Sequence, residues 1–286
     1  MFKDIIARIK PLDIESMDKC QLRLDNLTKP LNSLLYFEQI ARQIAGITHN
    51  SRPRTVKKSI IILTGDGAKP SIATNVFAEH VGAQIVTADI TTIAKAQTVQ
   101  QEILSAIEWG INIAGTEIAK GTQVIGLGQL CSASDADSKE ILACFSEEQA
   151  EPLEVLAKVG SKETAALVGI ILGAAAGGAA VVLDGLSTTV AAMLAVKIAP
   201  GVKDYLIGSH YATAPEHKAA LDTIGIPAYL YLDMNSDDGT GAAMGMSIIK
   251  ASLHVLNDMK TFGEAEVAVA QDGPGALKQT KEVKDM

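Results

Sequence analysis

A chain of 286 residues is long enough for one large α/β domain with a helical appendage. Hydrophobic residues make up 48% of the chain and aromatic residues only 4%, so the core must be built mainly from aliphatic side chains. That composition suits helices packed closely on a parallel sheet and disfavours an all-β fold. The formal net charge of −8, without a basic patch, argues against a binder of nucleic acid or of an anionic membrane.

Cysteine usage and the N-terminus indicate the compartment. The three cysteines, Cys20, Cys131 and Cys144, lie far apart and are odd in number, so the sequence predicts neither a disulfide framework nor a zinc site. Residues 1–10 are charged and lack the apolar core of a signal peptide. We therefore expect a cytoplasmic protein that uses no metal and no other cofactor.

One uncharged apolar stretch, residues 165–183, approaches the length of a membrane span. Four glycines interrupt it, and it ends in Asp184 and Gly185 before further strand and helix patterns. These features favour a buried helix, a turn and a buried strand over a membrane segment.

The patterns along the chain begin with an amphipathic helical region at 13–47, in which a helix could start at Pro30. After it, apolar strand patterns alternate with helix patterns, and residues 132–139 predict a polar loop. The predicted strands are 59–63, 83–90, 122–127, 180–183, 204–207 and 228–232, and the predicted helices include 99–119, 187–198, 215–223 and 240–259.

This alternation predicts an α/β fold with a doubly wound, Rossmann-like parallel sheet. Ligands bind such sheets at the carboxyl ends of the strands. From residue 264 onward the chain is charged and cannot bury an apolar face, so we expect a tail that is flexible or contacts a partner.

The strongest local feature is the D-D-G-T-G-A turn at 237–242, which leads directly into a helix. Its glycines allow a ligand to approach the backbone, the free amides of the first helical turn favour an anion, and the carboxylate of Asp238 could act as a base. The alternative is that Asp238 merely caps the helix and complements its dipole. The pattern alone favours that structural role.

Other candidates carry weaker signals. Glycines at strand ends, such as Gly128 and Gly185, serve close backbone packing in any case, and no G-x-G-x-x-G motif follows the first strand. His210 follows a strand and could face a ligand, whereas Ser209 lacks the G-x-S-x-G elbow of hydrolases. For the other histidines we expect structural or surface roles: His49, His80, His217 and His254.

Six segments match known motifs in one order along the chain. Residues 24–34 (L-D-N-L-T-K-P-L-N-S-L) are similar to L-D-x-L-T-K-P-P-G-S-L, and residues 237–242 are similar to G-E-G-T-G-A. The other four are 155–169 (similar to V-L-x-x-V-G-G-x-E-I-A-A-L-A-G), 181–185 (V-V-L-D-G), 204–210 (D-Y-L-I-A-S-H) and 259–265 (M-A-T-F-x-E-A). Together they resemble the nicotinate-nucleotide:dimethylbenzimidazole phosphoribosyltransferase family, often called CobT.

The resemblance implies transfer of 5-phosphoribose from nicotinate mononucleotide to an aromatic base, with inversion at C1 and release of nicotinate, in the assembly of the lower ligand of cobamides. Asp238 stands where the family has the glutamate that deprotonates the acceptor. The residues that the resemblance assigns to substrate binding are Gly128, Gln129, Asp184, Gly185, Ser209, His210, Asp237, Gly239, Thr240 and Gly241.

The resemblance also implies a small helical domain built from the N- and C-terminal segments beside the α/β domain. We accordingly divide the chain into an N-terminal helical region of the small domain (1–52), an α/β nucleotide-binding-like domain (53–262) and a flexible or partner-contacting tail (263–286). The family forms dimers whose active sites use both subunits.

Several departures distinguish this chain from the family pattern. Asp238 is one methylene shorter than glutamate, which displaces the carboxylate enough to matter for proton transfer. After Gly128 and Gln129 the family's G-N-T-T turn is lost, and we find no counterpart of its G-R-G-T-G stretch and phosphate-binding lysine in 139–152. The long excursion after the first strand is missing, and Ala212 replaces a serine.

These departures predict a degenerate subunit that pairs with a catalytic paralogue, as in the ArsAB-like heterodimers that use phenol or p-cresol. Two alternatives stay open. One is a non-catalytic scaffold or ligand sensor with the family fold. The other is a homodimeric enzyme in which Asp238 is the working base.

Overall fold

The computed structural model describes residues 2–65, 67–131, 134–145, 151–269 and 278–284. Its main sheet consists mostly of apolar runs, as expected for parallel strands that are covered on both faces. The strands are β1 (Lys58–Thr64), β2 (Ala83–Asp89), β3 (Val124–Leu130), β4 (Ala180–Val182) and β5 (Leu206–Ile207). Their order across the sheet is β2-β1-β3-β4-β5, and every neighbouring pair is parallel.

Helices connect and flank the strands. They are α1 (Phe2–Arg8), α2 (Ile14–Asp25), α3 (Leu35–Thr48), α4 (Ile72–Val81), α5 (Val99–Ala119), α6 (Ser134–Cys144), α7 (Pro152–Val159), α8 (Lys162–Ala176), α9 (Leu186–Ile198), α10 (Pro215–Ile224), α11 (Thr240–Asp258) and α12 (Phe262–Ala265). A second parallel sheet pairs β6 (His210–Tyr211) with β7 (Leu230–Tyr231).

The doubly wound parallel sheet predicted from the sequence is confirmed. The strand order reverses between β1 and β3, an arrangement in which ligands bind beyond the carboxyl ends of the strands. The helix predicted at 99–119 is α5, and the buried helix and strand predicted within 165–183 are α8 and β4. Among the described residues, no helix is long and apolar enough to cross a membrane.

The predicted polar loop at 132–139 is wrong for its described part. Residues from Ser134 onward belong to α6, on which Ser138 and Ile141 are buried. The polar composition of the segment hides this short buried face. Residues 132 and 133 lie outside the described part of the chain.

Three predicted boundaries also need correction. Helix α3 begins at Leu35 and not at Pro30, because Asn32 takes the left-handed conformation with φ 57° and interrupts the turn. Residues 204–205 end a 3₁₀ helix, so β5 has only two residues. The strand predicted at 228–232 is reduced to β7, which pairs with β6 outside the main sheet.

Strand β1 is buried in the main core. Ile60, Ile61, Ile62 and Leu63 are all fully buried. Burying each such side chain stabilises the fold by about 1.5–3 kcal/mol before the loss of conformational entropy is counted. Aliphatic packing of this kind accounts for a stable core in a chain with few aromatic residues.

Helices α5 and α8 approach each other so closely that their backbones touch. A Cβ atom on Gly110 of α5 would overlap the carbonyl oxygen of Ala166, and one on Gly169 of α8 would overlap the carbonyl oxygen of Ile107. Glycine is required at both positions because backbone atoms occupy the space a side chain would need. Gly169, one of the glycines that interrupt the apolar stretch, therefore serves helix packing.

The chain divides into two compact units. The larger unit comprises Met1–Pro11 and Lys57–Met246, and the smaller comprises Leu12–Val56 and Ser247–Met286. The smaller unit thus combines N- and C-terminal segments, in agreement with the predicted fold class. The domain ranges 1–52, 53–262 and 263–286 stay a prediction, since compactness alone does not show independent folding.

The smaller unit is fixed by a buried guanidinium. Arg23 donates to both carboxylate oxygens of Glu264, at 2.8 and 3.2 Å, and to the carbonyl of Leu256 at 2.9 Å. A buried arginine is tolerated when its donors are satisfied in this way. The apolar residues of this core are Cys20, Leu24, Leu27, Ala41, Ala45 and Leu256.

Part of the C-terminal tail is bound to the smaller unit. The Thr261 hydroxyl donates to the carbonyl of Val283 at 2.6 Å, and the amide of Thr280 donates to Asn26 Oδ1 at 2.6 Å. Residues 270–277 and 285–286 of the predicted tail lie outside the described part of the chain.

The contact between α5 and α8 can be tested with two substitutions in one helix. We expect Gly110→Ala to lower the free energy of unfolding by about 3 kcal/mol, because the added methyl meets backbone atoms that cannot move aside. Gly115→Ala is the matched control, since no atom lies within 4 Å of its added Cβ, and it should stabilise the protein by about 0.5–1 kcal/mol. Urea unfolding followed by circular dichroism measures both. Equal effects of the two substitutions would contradict the close contact.

Candidate functional site

A cavity of about 420 Å³ lies in the larger unit at the carboxyl ends of the main-sheet strands. Its wall includes the end of β3, the start of α9 and the segment before α11. The lining residues are Gln129, Leu130, Lys139, Gly185, Leu186, Ala212, Ala214, Asn235, Ser236, Asp237 and Asp238. The cavity therefore lies where the strand arrangement predicts a ligand site.

Behind this wall, the buried carboxylate of Asp184 joins β4 to α11. Its Oδ2 accepts a hydrogen bond from the amide of Gly239 at 2.6 Å, and its Oδ1 accepts one from the amide of Ala242 at 3.0 Å. The first amides of a helix have no partners within the helix, so a carboxylate is a favourable acceptor there. Asp184 thereby fixes the position of the 237–242 turn.

The pKa of Asp184 is raised well above its ordinary value. Burial is the main cause, and the carboxylates of Asp237 and Asp238 act in the same direction. The hydrogen bonds from Gly239 and Ala242 oppose this shift without offsetting it. Three acidic groups thus share one small region, and the raised pKa of Asp184 reflects the cost of a further negative charge there.

Glycines bring the turn into direct contact with the sheet. A Cβ atom on Gly128 of β3 would lie 2.5 Å from the amide nitrogen of Gly239, which itself has φ 90°. A Cβ atom on Gly241 would overlap His210 and Asp184. These residues are therefore needed for packing, and no larger side chain fits at either contact.

The carboxylate of Asp238 is held on both of its oxygens. Oδ2 accepts from the hydroxyls of Thr74 at 2.8 Å and Ser71 at 3.1 Å, in the first turn of α4 and at its N-cap. Oδ1 accepts from the amide of Thr240 at 3.1 Å. Burial raises the pKa of Asp238, but hydrogen bonds from Thr240, Thr74 and Ser236 outweigh it and leave the pKa below its ordinary value. Asp238 is thus ionised at neutral pH and is a weak base.

The side chain of Asp237 reaches the first turn of α9. Its Oδ2 accepts from the amide of Ser187 at 3.2 Å and from the Ser187 hydroxyl at 2.8 Å, at the start of α9. Its backbone carbonyl accepts from the amide of Gln129 at 2.6 Å. The side chains of Asp237 and Asp238 therefore lie at the N-termini of two different helices.

Two buried histidines support the floor of the site. His217 Nδ1 accepts from the amide of Ala212 at 3.0 Å, so its Nε2 carries the proton and donates to Thr189 Oγ1 at 3.0 Å. Burial and, secondly, the adjacent His210 lower the pKa of His217 to about 4. Burial also lowers the pKa of His210, whose Nδ1 lies 3.1 Å from Ser209 Oγ. Both rings are neutral at pH 7.

The structure separates the candidate site residues into two groups. Gln129, Gly185, Asp237 and Asp238 line the cavity. The others are buried in the packing behind the wall; these are Gly128, Asp184, Ser209, His210, Gly239, Thr240 and Gly241. Substrate contact stays a prediction for both groups. In the described part of the chain, no group of histidine, cysteine, aspartate or glutamate side chains is arranged to hold a metal ion.

Sequence reasoning missed Lys139 as a site residue. The family comparison left the site without a lysine, whereas Lys139 of α6 lines the cavity and lies 3.1 Å from Glu216 Oε1. A loop at 132–139 does not predict where the side chain of Lys139 lies. An amphipathic helix with Ser138 and Ile141 buried would have predicted which face carries Lys139.

Ser71 and Thr74 were also missed. They form an ordinary helix start, with Thr74 N donating to Ser71 Oγ, and only the fold brings them to Asp238, over 160 positions further along the chain. Nothing in their local sequence indicates this contact.

Comparisons with known proteins support one family. A family model described as phosphoribosyltransferase matches residues 9–72 and 136–267. The nicotinate-nucleotide–dimethylbenzimidazole phosphoribosyltransferases of Geotalea uraniireducens (strain Rf4) and Geobacter sulfurreducens are each 30% identical to this chain over a gapped alignment of 346 positions, which covers 94% of this chain and 98% of the relative.

Solved structures give the same result. The enzyme of that name from Thermus thermophilus has a TM-score of 0.79 to this chain at 25% identity, covering 91% of this chain and 100% of the other. A structure of CobT from the same organism has a TM-score of 0.78 at 24% identity, covering 90% and 100%, and supports the fold.

The contacts of Asp238 predict how its pKa responds to mutation. We expect Thr74→Val to raise the pKa of Asp238, because it removes the shortest hydrogen bond to the ionised carboxylate. Thr164→Val is the control, since Ser161 and Thr164 form the same start of α8 without a nearby Asp238 contact. Carbon-13 NMR titration of the aspartate carboxyls measures the shift. An unchanged pKa in Thr74→Val would disprove the assigned contact.

Proposed function

The chain belongs to the nicotinate-nucleotide–dimethylbenzimidazole phosphoribosyltransferase family. From this premise we propose that it takes part in phosphoribosyl transfer as the subunit of a heterodimer that has lost most of its own catalytic activity. The donor is nicotinate mononucleotide and the acceptor is an aromatic base. The acceptor atom forms a bond to C1 of the ribose, the C1–N bond to nicotinate breaks, and the acceptor's proton goes to a base. The product belongs to the nucleotide loop of a cobamide.

The state of Asp238 carries the subunit assignment. This residue stands at the position of the family's catalytic glutamate, yet three donors hold its two oxygens and its pKa is lowered. A base accepts a proton efficiently when its pKa lies near the working pH, and Asp238 is far from that condition. A partner subunit with the glutamate would supply the base that this chain lacks.

Lys139 supports retention of the donor by this chain. Among the described residues that line the cavity, Lys139 is the one with a cationic side chain, and its ammonium group can approach a phosphate in place of Glu216. The cavity of about 420 Å³ has a size suited to a small ligand. We therefore assign Lys139 to the 5-phosphate of nicotinate mononucleotide.

The same contacts favour a second candidate function. A carboxylate held by the starts of α4 and α11 is also what a purely structural cap requires, so a non-catalytic scaffold or ligand sensor is the alternative. A homodimeric enzyme with Asp238 as the base is a third possibility, which the lowered pKa disfavours.

A reconstitution assay separates these functions. We expect the chain alone to release little nicotinate from nicotinate mononucleotide in the presence of phenol or dimethylbenzimidazole, and the mixture with a glutamate-bearing paralogue to release it faster than the paralogue alone. Chromatography of nicotinate measures both. Equal turnover by the chain alone would favour the homodimer, in which Asp238→Ala should cost roughly 10²–10⁴-fold. Absence of both turnover and donor binding would favour the scaffold.

The assignment of Lys139 predicts a selective loss of affinity. We expect Lys139→Gln to weaken binding of nicotinate mononucleotide about tenfold, since one charge-assisted hydrogen bond contributes roughly 1.5 kcal/mol. Binding of nicotinate riboside, which lacks the phosphate, should not change, and Lys139→Arg should retain affinity. Lys218→Gln is the control, because Lys218 pairs with Asp222 away from the cavity wall. Calorimetry measures each, and equal losses for nucleotide and nucleoside would exclude a phosphate contact.

A further inference from the structure

The described wall of the cavity carries two acidic side chains and one basic side chain, so its net charge opposes an anionic donor. Asp237 and Asp238 face the cavity, while Lys139 already pairs with Glu216 at 3.1 Å. Nicotinate mononucleotide carries a phosphate and a carboxylate. Each added negative charge must therefore enter a wall with an excess of carboxylates.

Asp237 differs from Asp238 in where its carboxylate is held. The amide and the hydroxyl of Ser187, in the first turn of the 13-residue helix α9, donate hydrogen bonds to its Oδ2. The start of a helix attracts anions because its free amides and its dipole carry positive charge. The carboxylate of Asp237 already occupies that position, and a Cβ atom on Gly185 would overlap it.

Asp237 is an acidic residue at a position where the similar motif has glycine. In the motif G-E-G-T-G-A, to which residues 237–242 are similar, the position of Asp237 is glycine and that of Asp238 is the acid. A glycine would leave the amide and hydroxyl of Ser187 without this carboxylate. The second acid of the D-D-G-T-G-A turn therefore changes the charge of the site and not only its packing.

We infer that Asp237 is a specificity-determining residue that acts as an internal competitor for anions, lowering the affinity of this chain's own cavity for an anionic donor. The inference rests on the proposed function for the identity of that donor. Asp237 forms with Ser187 the contact that an external carboxylate or phosphate would otherwise make.

A substitution that removes the charge of Asp237 but keeps the shape of its side chain tests the inference. Asp237→Asn keeps an oxygen that can accept from Ser187 but removes the negative charge. We expect it to bind nicotinate mononucleotide and inorganic pyrophosphate more tightly, by on the order of tenfold at low ionic strength, with a smaller gain as salt is added. Isothermal calorimetry on the full chain measures both ligands. A gain of affinity cannot arise from partial unfolding.

Asp233→Asn is the matched control. Asp233 is exposed in the same segment, outside the cavity wall, and its φ of 50° is tolerated by asparagine. Affinities should be unchanged in this variant. If Asp237→Asn binds neither anion more tightly than the wild type, the inference fails. If pyrophosphate gains affinity while nicotinate mononucleotide binds to neither protein, the inference stands and the proposed donor is wrong.

Discussion

The hydrogen bonds from Gly239 and Ala242 to the buried carboxylate of Asp184 are the constraint on which the site depends. They connect the residues that follow β4 to the first turn of α11, so the residues just before that helix have one fixed position. A buried carboxylate is costly unless strong donors surround it. Here the donors are amides that would themselves lack partners if the carboxylate were removed. Each group thus requires the other.

Because these hydrogen bonds fix the turn, three acidic side chains lie close to one cavity. The carboxyl group of Asp184 lies at the start of α11 and that of Asp237 at the start of α9, while that of Asp238 lies at the starts of both α4 and α11. This arrangement stabilises three acids in one region through hydrogen bonds from amides and hydroxyls. It also uses, for the chain's own side chains, the helix ends that bind anionic ligands in many α/β proteins.

The sequence predicted the fold well because its signals are local. Helix α5 agrees with the predicted 99–119, and β1 and β2 lie within a residue of their predicted bounds, since apolar spacing follows directly from helix and strand geometry. The short helix α6 was missed because its buried face has few residues and a polar surrounding. Strand β7 was placed in the wrong sheet because a two-residue pairing leaves no distinct pattern.

The candidate site was harder to predict because its contacts join distant parts of the chain. The turn at 237–242 and Asp184 could be singled out by their motifs, but the motif could not decide between a base and a cap for Asp238. That decision depends on Thr74 and Ser71, which reach Asp238 only through the fold. The role of Lys139 depends likewise on the direction of α6. Local patterns name the reactive groups, and tertiary contacts determine their chemistry.

The contact between Gly128 and Gly239 bears on how a ligand would be received. Because the turn that carries Asp237 and Asp238 is pressed against a central strand, it cannot fold over a ligand without displacing the sheet. The entropy lost in ordering this part of the wall is therefore spent when the protein folds and not when a ligand arrives. The shape and the charge of this wall are accordingly preorganised before a ligand enters.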